Sequence, residues 1–326
     1  MSQSNMQDTQ AALATLRDEL QTVIIGQSAL IDRLIIGLLT GGHLLLEGPP
    51  GLAKTTAVKA LASGVHAHFQ RIQFTPDLMP SDITGSDIFD PNSNKFQFSQ
   101  GPLFNEIILA DEINRAPPKV QSALLEAMGE HQVSVGSITH PLPDLFFVMA
   151  TQNPLEQMGT YPLPEAQLDR FLLHVVIDYP SNEDELLILQ RDRQTHFGDD
   201  NLLSSSPLQP EMILKARRQV AEIHIEKSLE KYVVDLVTAT RDISKINSDW
   251  QDYIDSPASP RASISLLRAS SALAYLNGRD YLLPDDIIEV APDILRHRII
   301  PSFAAKSNNL TANALIQRII EVISIP

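Results

Sequence analysis

The chain has 326 residues, 43% of them hydrophobic, and a formal charge of −15. These values describe a soluble globular protein with enough material for two domains, and the acidic balance argues against a nonspecific grip on nucleic acid or anionic membrane. With no cysteine, disulfides and thiolate metal sites are excluded. The polar N-terminus (MSQSNMQDTQ) lacks a signal pattern, and no apolar run reaches the roughly 18 residues that span a bilayer, so a cytoplasmic protein is expected.

In chain order, Asp8–Val23 reads as an amphipathic helix and Ser28–Leu39 as a second helix leading into an apolar run, His43–Leu46, of buried-strand type. Next comes EGPPGLAKTT (Glu47–Thr56), close to the phosphate-loop pattern G-x-x-x-x-G-K-[ST] but with Ala53 where the last glycine belongs. Thr55–Ser63, rich in helix formers, completes the strand–loop–helix setting the motif requires. Arg71–Phe74, Ile107–Ala110, Leu145–Ala150 and Leu172–Ile177 read as four further strands, and Pro118–Met128 as a helix with Val120, Leu124 and Ala127 on one face. The alternation predicts an α/β fold: a parallel sheet flanked by helices, with its ligand at the carboxyl ends of the strands. Two stretches break the alternation. Asp77–Phe104, turning at DPNSN, and His131–His140, turning near Gly136-Ser137, are each expected to be a β-hairpin insert. Glu183–Gln190 is helical, Gly198–Pro210 is a polar linker, and segments 211–225, 228–246, 261–277, 284–296 and 311–323 all read as helix. The expected division is a nucleotide-binding core over 1–198 and an all-α domain over 199–326.

Three patterns carry chemistry. In the loop, backbone N–H groups and the following helix N-terminus cradle phosphates, Lys54 and Thr55 stand ready for the β/γ-phosphates and Mg²⁺, and Gly48 and Gly51 serve the turns. Ala53 adjoins the helix start, where φ is expected to be negative and a methyl group costs little. In IILADEINR, a buried strand ends in Asp111 and Glu112: one carboxylate to hold the metal, the other to orient the attacking water, unless the pair is only a solvated turn. In MATQNP, Asn153 at another strand end suits holding that water, although an Asn-Pro turn former explains it equally well. His66 and His68 have no third ligand partner, and a surface loop accounts for them. Phe96, Phe98, Leu103 and Phe104 are expected in core or interface.

Together, GPPGLAKT (48–55), FTPDLMPSDITG (74–85), GPLF (101–104), ADEINRAPPKVQSALLEAM (110–128), ATQNP (150–154), LPEAQLDRF (163–171), DYPS (178–181) and SPRAS (259–263) resemble the AAA+ ATPases, and within them the MoxR ATPases, over nearly the whole chain. Alanine before the loop lysine is usual in that family, so the resemblance implies a working site. It also implies an AAA+ core with a helix-2 insert and a pre-sensor-1 hairpin, a helical lid, and ATP/ADP with Mg²⁺ as ligands. Nucleotide contacts fall to Gly48, Pro49, Pro50, Gly51, Leu52, Ala53, Lys54, Thr55 and Thr56, with Ile25, Gly26 and Gln27 packing on the adenine. Metal binding falls to Thr55 and Asp111, and catalysis to Lys54, Glu112 and Asn153 (sensor 1). Arg170 matches the arginine finger that reaches the neighbouring subunit's γ-phosphate, and Arg261 matches sensor 2. On the residues alone, Arg170 could pair with Asp169 or Glu165, Arg261 could be a surface charge, and Arg115 could serve an interface or anchor its turn. The resemblance further implies a homo-oligomeric ring, usually a hexamer, and a chaperone-like role in maturation or metal and cofactor insertion beside von Willebrand factor A domain proteins. The rival readings are a chelatase-type motor subunit, a nucleic-acid-associated NTPase, disfavoured by the charge, and a nonhydrolysing scaffold.

Overall fold

The computed structural model describes residues 3–49, 51–52, 54–92, 94–153, 159–195 and 207–326. Helices α1 (Gln3–Val23) and α2 (Ser28–Thr40) lead into strand β1 (Leu44–Glu47) and helix α3 (Lys54–Gly64). Strand β2 (Phe69–Gln73), helix α4 (Pro80–Thr84) and the hairpin β3 (Gly85–Asp90) and β4 (Lys95–Gln100) follow. Next come β5 (Ile107–Asp111), α5 (Pro118–Glu130), the hairpin β6 (Gln132–Val135) and β7 (Ile138–Pro141), β8 (Phe147–Gln152), the single-turn α6 (Glu165–Leu168), β9 (Leu173–Val176) and α7 (Asn182–Thr195). The C-terminal region holds α8 (Pro210–Val220), α9 (Lys227–Ala239), β10 (Ile254–Ser256), α10 (Pro260–Leu276), α11 (Pro284–Leu295), β11 (Ile300–Pro301), α12 (Phe303–Ser307) and α13 (Ala312–Val322).

The central sheet has the order β2-β5-β8-β1-β9, with every pairing parallel. Its inner strands β5, β8 and β1 are almost continuously apolar because both faces are covered, whereas edge strand β2 exposes Gln70, Arg71 and Gln73, and the pleat sorts alternate residues to opposite sides. Leu44, Leu46, Ile107, Leu109, Phe147 and Met149 join one core cluster. Leu45, Ile108, Ala110, Val148 and Ala150 join the other, against α5. The first cluster continues from the sheet through α1 and α2 into α8, α9, α10, α11 and α13. Polar anchors reinforce that continuity: buried Arg33 of α2 pairs with Asp293 at 2.7 Å and Glu289 at 2.9 Å on α11.

The expected strands are all present, displaced by up to two residues; β8 runs on through Thr151 and Gln152, and α1 starts five residues before Asp8. Both hairpins form with the expected turns, Gly136 taking a left-handed φ of 59°, but the first is narrower than Asp77–Phe104: its strands span Gly85–Gln100, with α4 before them and a single 3-10 turn at Pro102–Phe104 after. Their aromatics divide. Phe98 stacks on His140 of the second hairpin with centroids 3.9 Å apart, and Leu103 is buried, whereas Phe96 is 71% exposed and meets only the edge of Phe89 among the ring contacts. The purely helical reading of the C-terminal region misses the short antiparallel pair β10–β11, too brief to leave a period-two pattern. The expected division at 198/199 and most of the expected linker lie outside the described residues. No helix among the described residues is long and apolar enough to cross a membrane.

His43, 4% exposed at the root of β1, fastens the sheet beneath the loop. Its Nδ1 accepts from Val148 N–H (3.1 Å), which leaves Nε2 to donate to Met128 O (3.2 Å). Burial pushes its pKa from 6.5 down to about 3, so the ring stays neutral.

Candidate active site at the carboxyl ends of the strands

The carboxyl ends of β1, β5 and β8 open onto one cavity of about 390 Å³. Its walls bring together Gly48, Gly51, Leu52, Lys54, Thr55 and Thr56 from the loop and α3, Asp111 and Glu112 from the tip of β5, and Thr151, Gln152 and Asn153 from the tip of β8. The two loop glycines serve different needs. A Cβ on Gly48 would come within 2.8 Å of the Ile177 carbonyl oxygen, so close packing on the chain beyond β9 excludes any side chain there. Gly51 has open space around it but takes φ +83°, a conformation L-residues avoid. Pro50 and Ala53 lie outside the described residues, and with them the expectation about φ at Ala53; Pro49 flanks the cavity without lining it.

Lys54 opens α3 and folds back so that Nζ donates to Gly48 O at 2.6 Å. Burial lowers its pKa, and the carboxylates of Asp111, Glu112 and Glu47 oppose that shift. Glu47, the last residue of β1, has its pKa lowered chiefly by the hydrogen bond from His174, 3.0 Å away on β9. The His174 carbonyl in turn accepts from Arg296 of the helical region (2.9 Å).

The two acids at the β5 tip are held in a closed mesh. Asp111 Oδ1 accepts from the Thr151 hydroxyl at 2.6 Å, and its Oδ2 accepts from Arg71 Nη2 at 2.6 Å and Nε at 3.1 Å. Glu112 Oε2 accepts from Gln73 Nε2 at 2.8 Å and pairs with Arg115 Nε at 3.2 Å. Arg71 also donates to Gln73 Oε1 at 2.8 Å, and the Glu112 N–H donates to Thr151 Oγ1 at 2.9 Å. Glu112 itself sits at φ 57°, ψ 50°, a left-handed conformation that costs a non-glycine residue roughly 1–3 kcal/mol and that concentrates at functional sites. The strain aims its carboxylate at Gln73 and Arg115 instead of continuing the strand.

Sequence reasoning missed Arg71, Gln73 and Thr151. The β2–β5 register sets Gln73 opposite Asp111, a pairing that no short-range pattern encodes. Arg115 anchors its own turn through Glu112.

Several predicted residues lie elsewhere. Ile25, Gly26 and Gln27 do not line this cavity; Gln27 Nε2 donates to Asp178 O (3.2 Å), and a Cβ on Gly26 would strike the Asp184 carboxylate. Arg170 is also outside it. Its Nη1 donates to Leu125 O (2.7 Å) within α5, in a separate depression of about 540 Å³ beside Glu126, Glu130 and Gln167. Arg261, second residue of α10 after the Ser259 cap, is 71% exposed and 3.6 Å from Asp169. Asp169 does not pair with its neighbour Arg170. It receives Arg298 at 2.7 Å and Arg261 at 3.6 Å at one corner of the chain, while Arg170 reaches to α5, and neither predicted arginine lines the phosphate cavity.

The donor set suits Mg²⁺. Thr55 and Asp111 offer hard oxygens on one cavity, and Asp111 already draws a guanidinium to its carboxylate, as a site that wants positive charge does. Among the described residues no group of three or more His, Cys, Asp or Glu could hold a metal, so the cavity fits an ion that keeps waters and leans on substrate phosphates.

Comparison with known proteins agrees with this geometry. Residues 43–173 match the ATPase family associated with various cellular activities (AAA), and residues 248–319 match the AAA lid domain. The chain is 44% identical to Chaperone MoxR1 of Mycobacterium tuberculosis over 94% of this chain and 81% of that protein. It is 30% identical to Protein MoxR of Paracoccus denitrificans over 99% of both. A crystal structure of a protein from Cytophaga hutchinsonii superposes with a TM-score of 0.91 at 44% identity, covering 99% of this chain and 97% of the other. The chain therefore belongs to the MoxR family of AAA ATPases and is an ATP hydrolase.

Proposed function

We propose that the protein hydrolyses ATP in a cavity completed by a second copy of itself, within a ring that is hexameric and cytoplasmic. One observation carries this reading: Arg71 is the only arginine among the described residues lining the phosphate cavity, and Asp111 engages it, while Arg170 and Arg261 both lie outside that cavity. Phosphoryl transfer spreads charge over the γ-oxygens, and an arginine delivered there is worth about 10³–10⁵ in rate. A heterologous contact brings the Asp169 corner of one copy to the cavity of the next and repeats around a closed ring.

Within each copy, the loop N–H groups from Gly51 to Thr56 at the start of α3 bind the phosphates, and Lys54 exchanges its Gly48 carbonyl for the β/γ-phosphates. Thr55 and Asp111 hold Mg²⁺, which when bound neutralises charge on those phosphates. Glu112, released from Gln73 and Arg115, orients and polarises the attacking water, and Asn153 fixes that water from the β8 side. Residues 25–27, beside the chain that leaves β9, pack on the adenine. Residues 1–198 act as the core and 199–326 as its lid. The work done with this turnover is chaperone-like: maturation, or metal and cofactor insertion, of partner complexes that include a von Willebrand factor A domain protein. Support comes from the MoxR relatives, one of which is named a chaperone.

The test is ATPase rate per subunit against protein concentration, wild type beside Arg170→Ala, at saturating ATP and Mg²⁺. The expected result is a steep rise for wild type and almost no turnover for the variant. Turnover that ignores both concentration and Arg170 would end the shared-site reading.

A further inference from the structure

Arg217 is a largely buried cation without an acid. From the last turn of α8 it reaches the end of α2, where Nε donates to Leu38 O at 2.7 Å, and Nη1 donates to Asp144 O at 3.0 Å. Both acceptors are backbone carbonyls, and the buried Nη2 has no partner at all. Other arginines withdrawn from solvent are matched by carboxylates: Arg17 by Asp32, Arg33 and Arg296 by Asp293, and Arg298 by Asp169. A cation taken out of water without such a partner is destabilising. Burial accordingly lowers the Arg217 pKa, opposed only by the charge of Asp144. The negative end of the α2 dipole accounts for the bond to Leu38 O, but not for Nη2.

Arg217 forms part of the wall of a cavity of about 290 Å³ between the end of α2, the last turn of α8 and the middle of α10. Leu39, Val220, Ile225 and Leu267 make most of the remaining wall apolar, and the exposed Arg268 adds a second guanidinium. No Asp or Glu is among the described residues that line it, on a chain with 40 acids to 25 bases. We infer that this cavity binds a small monocarboxylate with an apolar body, its acid between Arg217 and Arg268 and its body along the four aliphatic side chains. A planar guanidinium matches a carboxylate in shape as well as charge. The aliphatic wall selects against an inorganic anion, which would bury nothing apolar there. Size excludes a folded partner: at the roughly 30 Å³ that a water takes up in the liquid, the cavity holds about ten atoms of that size. The site shares no residue with the phosphate cavity and stands independently of how ATP is turned over.

The test is calorimetric titration of the full chain with octanoate, a carboxylate of about that size, beside octylamine and acetate. The expected result is saturable binding of one octanoate per chain and none of the other two, which lack the acid or the apolar body. Arg217→Gln and Arg268→Gln should each weaken octanoate about tenfold or more, as loss of a charge-assisted hydrogen bond does. Ala221→Phe, at an exposed position on the cavity wall, keeps both cations, fills the space and should abolish binding. Affinity for a fluorescent ATP analogue should be unchanged in Arg268→Gln and Ala221→Phe. Arg217 also caps α2, so if its variant fails to fold these two exposed substitutions decide the matter. No saturable octanoate binding, equal binding of octylamine, or full octanoate affinity in both Arg268→Gln and Ala221→Phe would overturn the inference. Binding of an acidic, leucine-bearing peptide without any of octanoate would overturn it too, and assign the cavity to a protein segment instead.

Discussion

The tip of β5 and the corner at Asp169 both pair an acid with arginines, yet they are built for opposite ends. At the β5 tip every donor is drawn inward: Arg71, Gln73, Thr151 and Arg115 close a mesh around Asp111 and Glu112. At the corner, Asp169 is spent on buried Arg298, which leaves Arg261 at 3.6 Å and largely in solvent, and Arg170, next in the chain, is exposed while it donates to Leu125 O. The first region is organised to hold carboxylates until a substrate displaces their partners. The second is organised to hold cations outward. An active site divided in this way needs both halves, and they can be broken separately.

The division is attacked most directly by mixing two dead proteins. Lys54→Ala and Arg170→Ala should each lose about 10³–10⁵ in turnover, and an equal mixture should recover about a quarter of the wild-type rate through sites that combine an intact loop with an intact finger. No recovery, with both variants assembling normally, breaks the comparison. Glu112→Gln should slow hydrolysis by about 10²–10⁴ while leaving ATP bound, a result read by comparing single-turnover rate with analogue affinity.

Thr151→Val probes the mesh itself. It removes the donor to Asp111 and leaves the Glu112 N–H without its acceptor, which should cost about 1–3 kcal/mol in denaturant unfolding, and Thr151→Ser should restore most of it. The pH dependence of stability tests the floor of the same region. His43 titrates at about 3 when folded and near 6.5 when unfolded. Its depressed pKa means that the unfolded chain takes up the extra proton, so stability is complete above pH 6.5 and falls as pH drops from there toward 3. The fall should approach about 1.4 kcal/mol per pH unit from this residue, and the difference in Tm slope between wild type and His43→Asn reads it. The smallest effect should come from Arg71→Ala. Half of that side chain is in solvent, so freeing Asp111 should lower half-saturating Mg²⁺ by only about two- to five-fold. A rise instead would mean that Arg71 assists the bound nucleotide rather than competing for its metal.

How much of this was legible follows from how far apart in sequence the partners lie. Strand, loop and helix around Lys54, the acids ending a buried run, and Asn153 ending another are local patterns, and each was read from a handful of neighbours. The mesh was not. Arg71 and Gln73 reach Asp111 and Glu112 through the register of two parallel strands joined by a hairpin insert, and the left-handed φ of Glu112 has no residue-type signature such as glycine would give. Arg261 meets Asp169 from far along the chain, so its type and place in the SPRAS turn were visible but its partner was not. Boundaries slipped where a strand's last residues are polar, as with Thr151 and Gln152, because pattern reading stops at the last apolar residue while pairing does not.

The pairs linking Arg33 to Asp293, Asp293 to Arg296, Arg296 to the His174 carbonyl, and the His174 ring to Glu47 form an unbroken line from α2 across α11 and β9 to the residue before Gly48. Mechanically, that line is a tie rod. A twist of the helical region against the sheet either stretches it or pulls on the peptide that begins the phosphate loop, so the loop carries a record of the lid's angle.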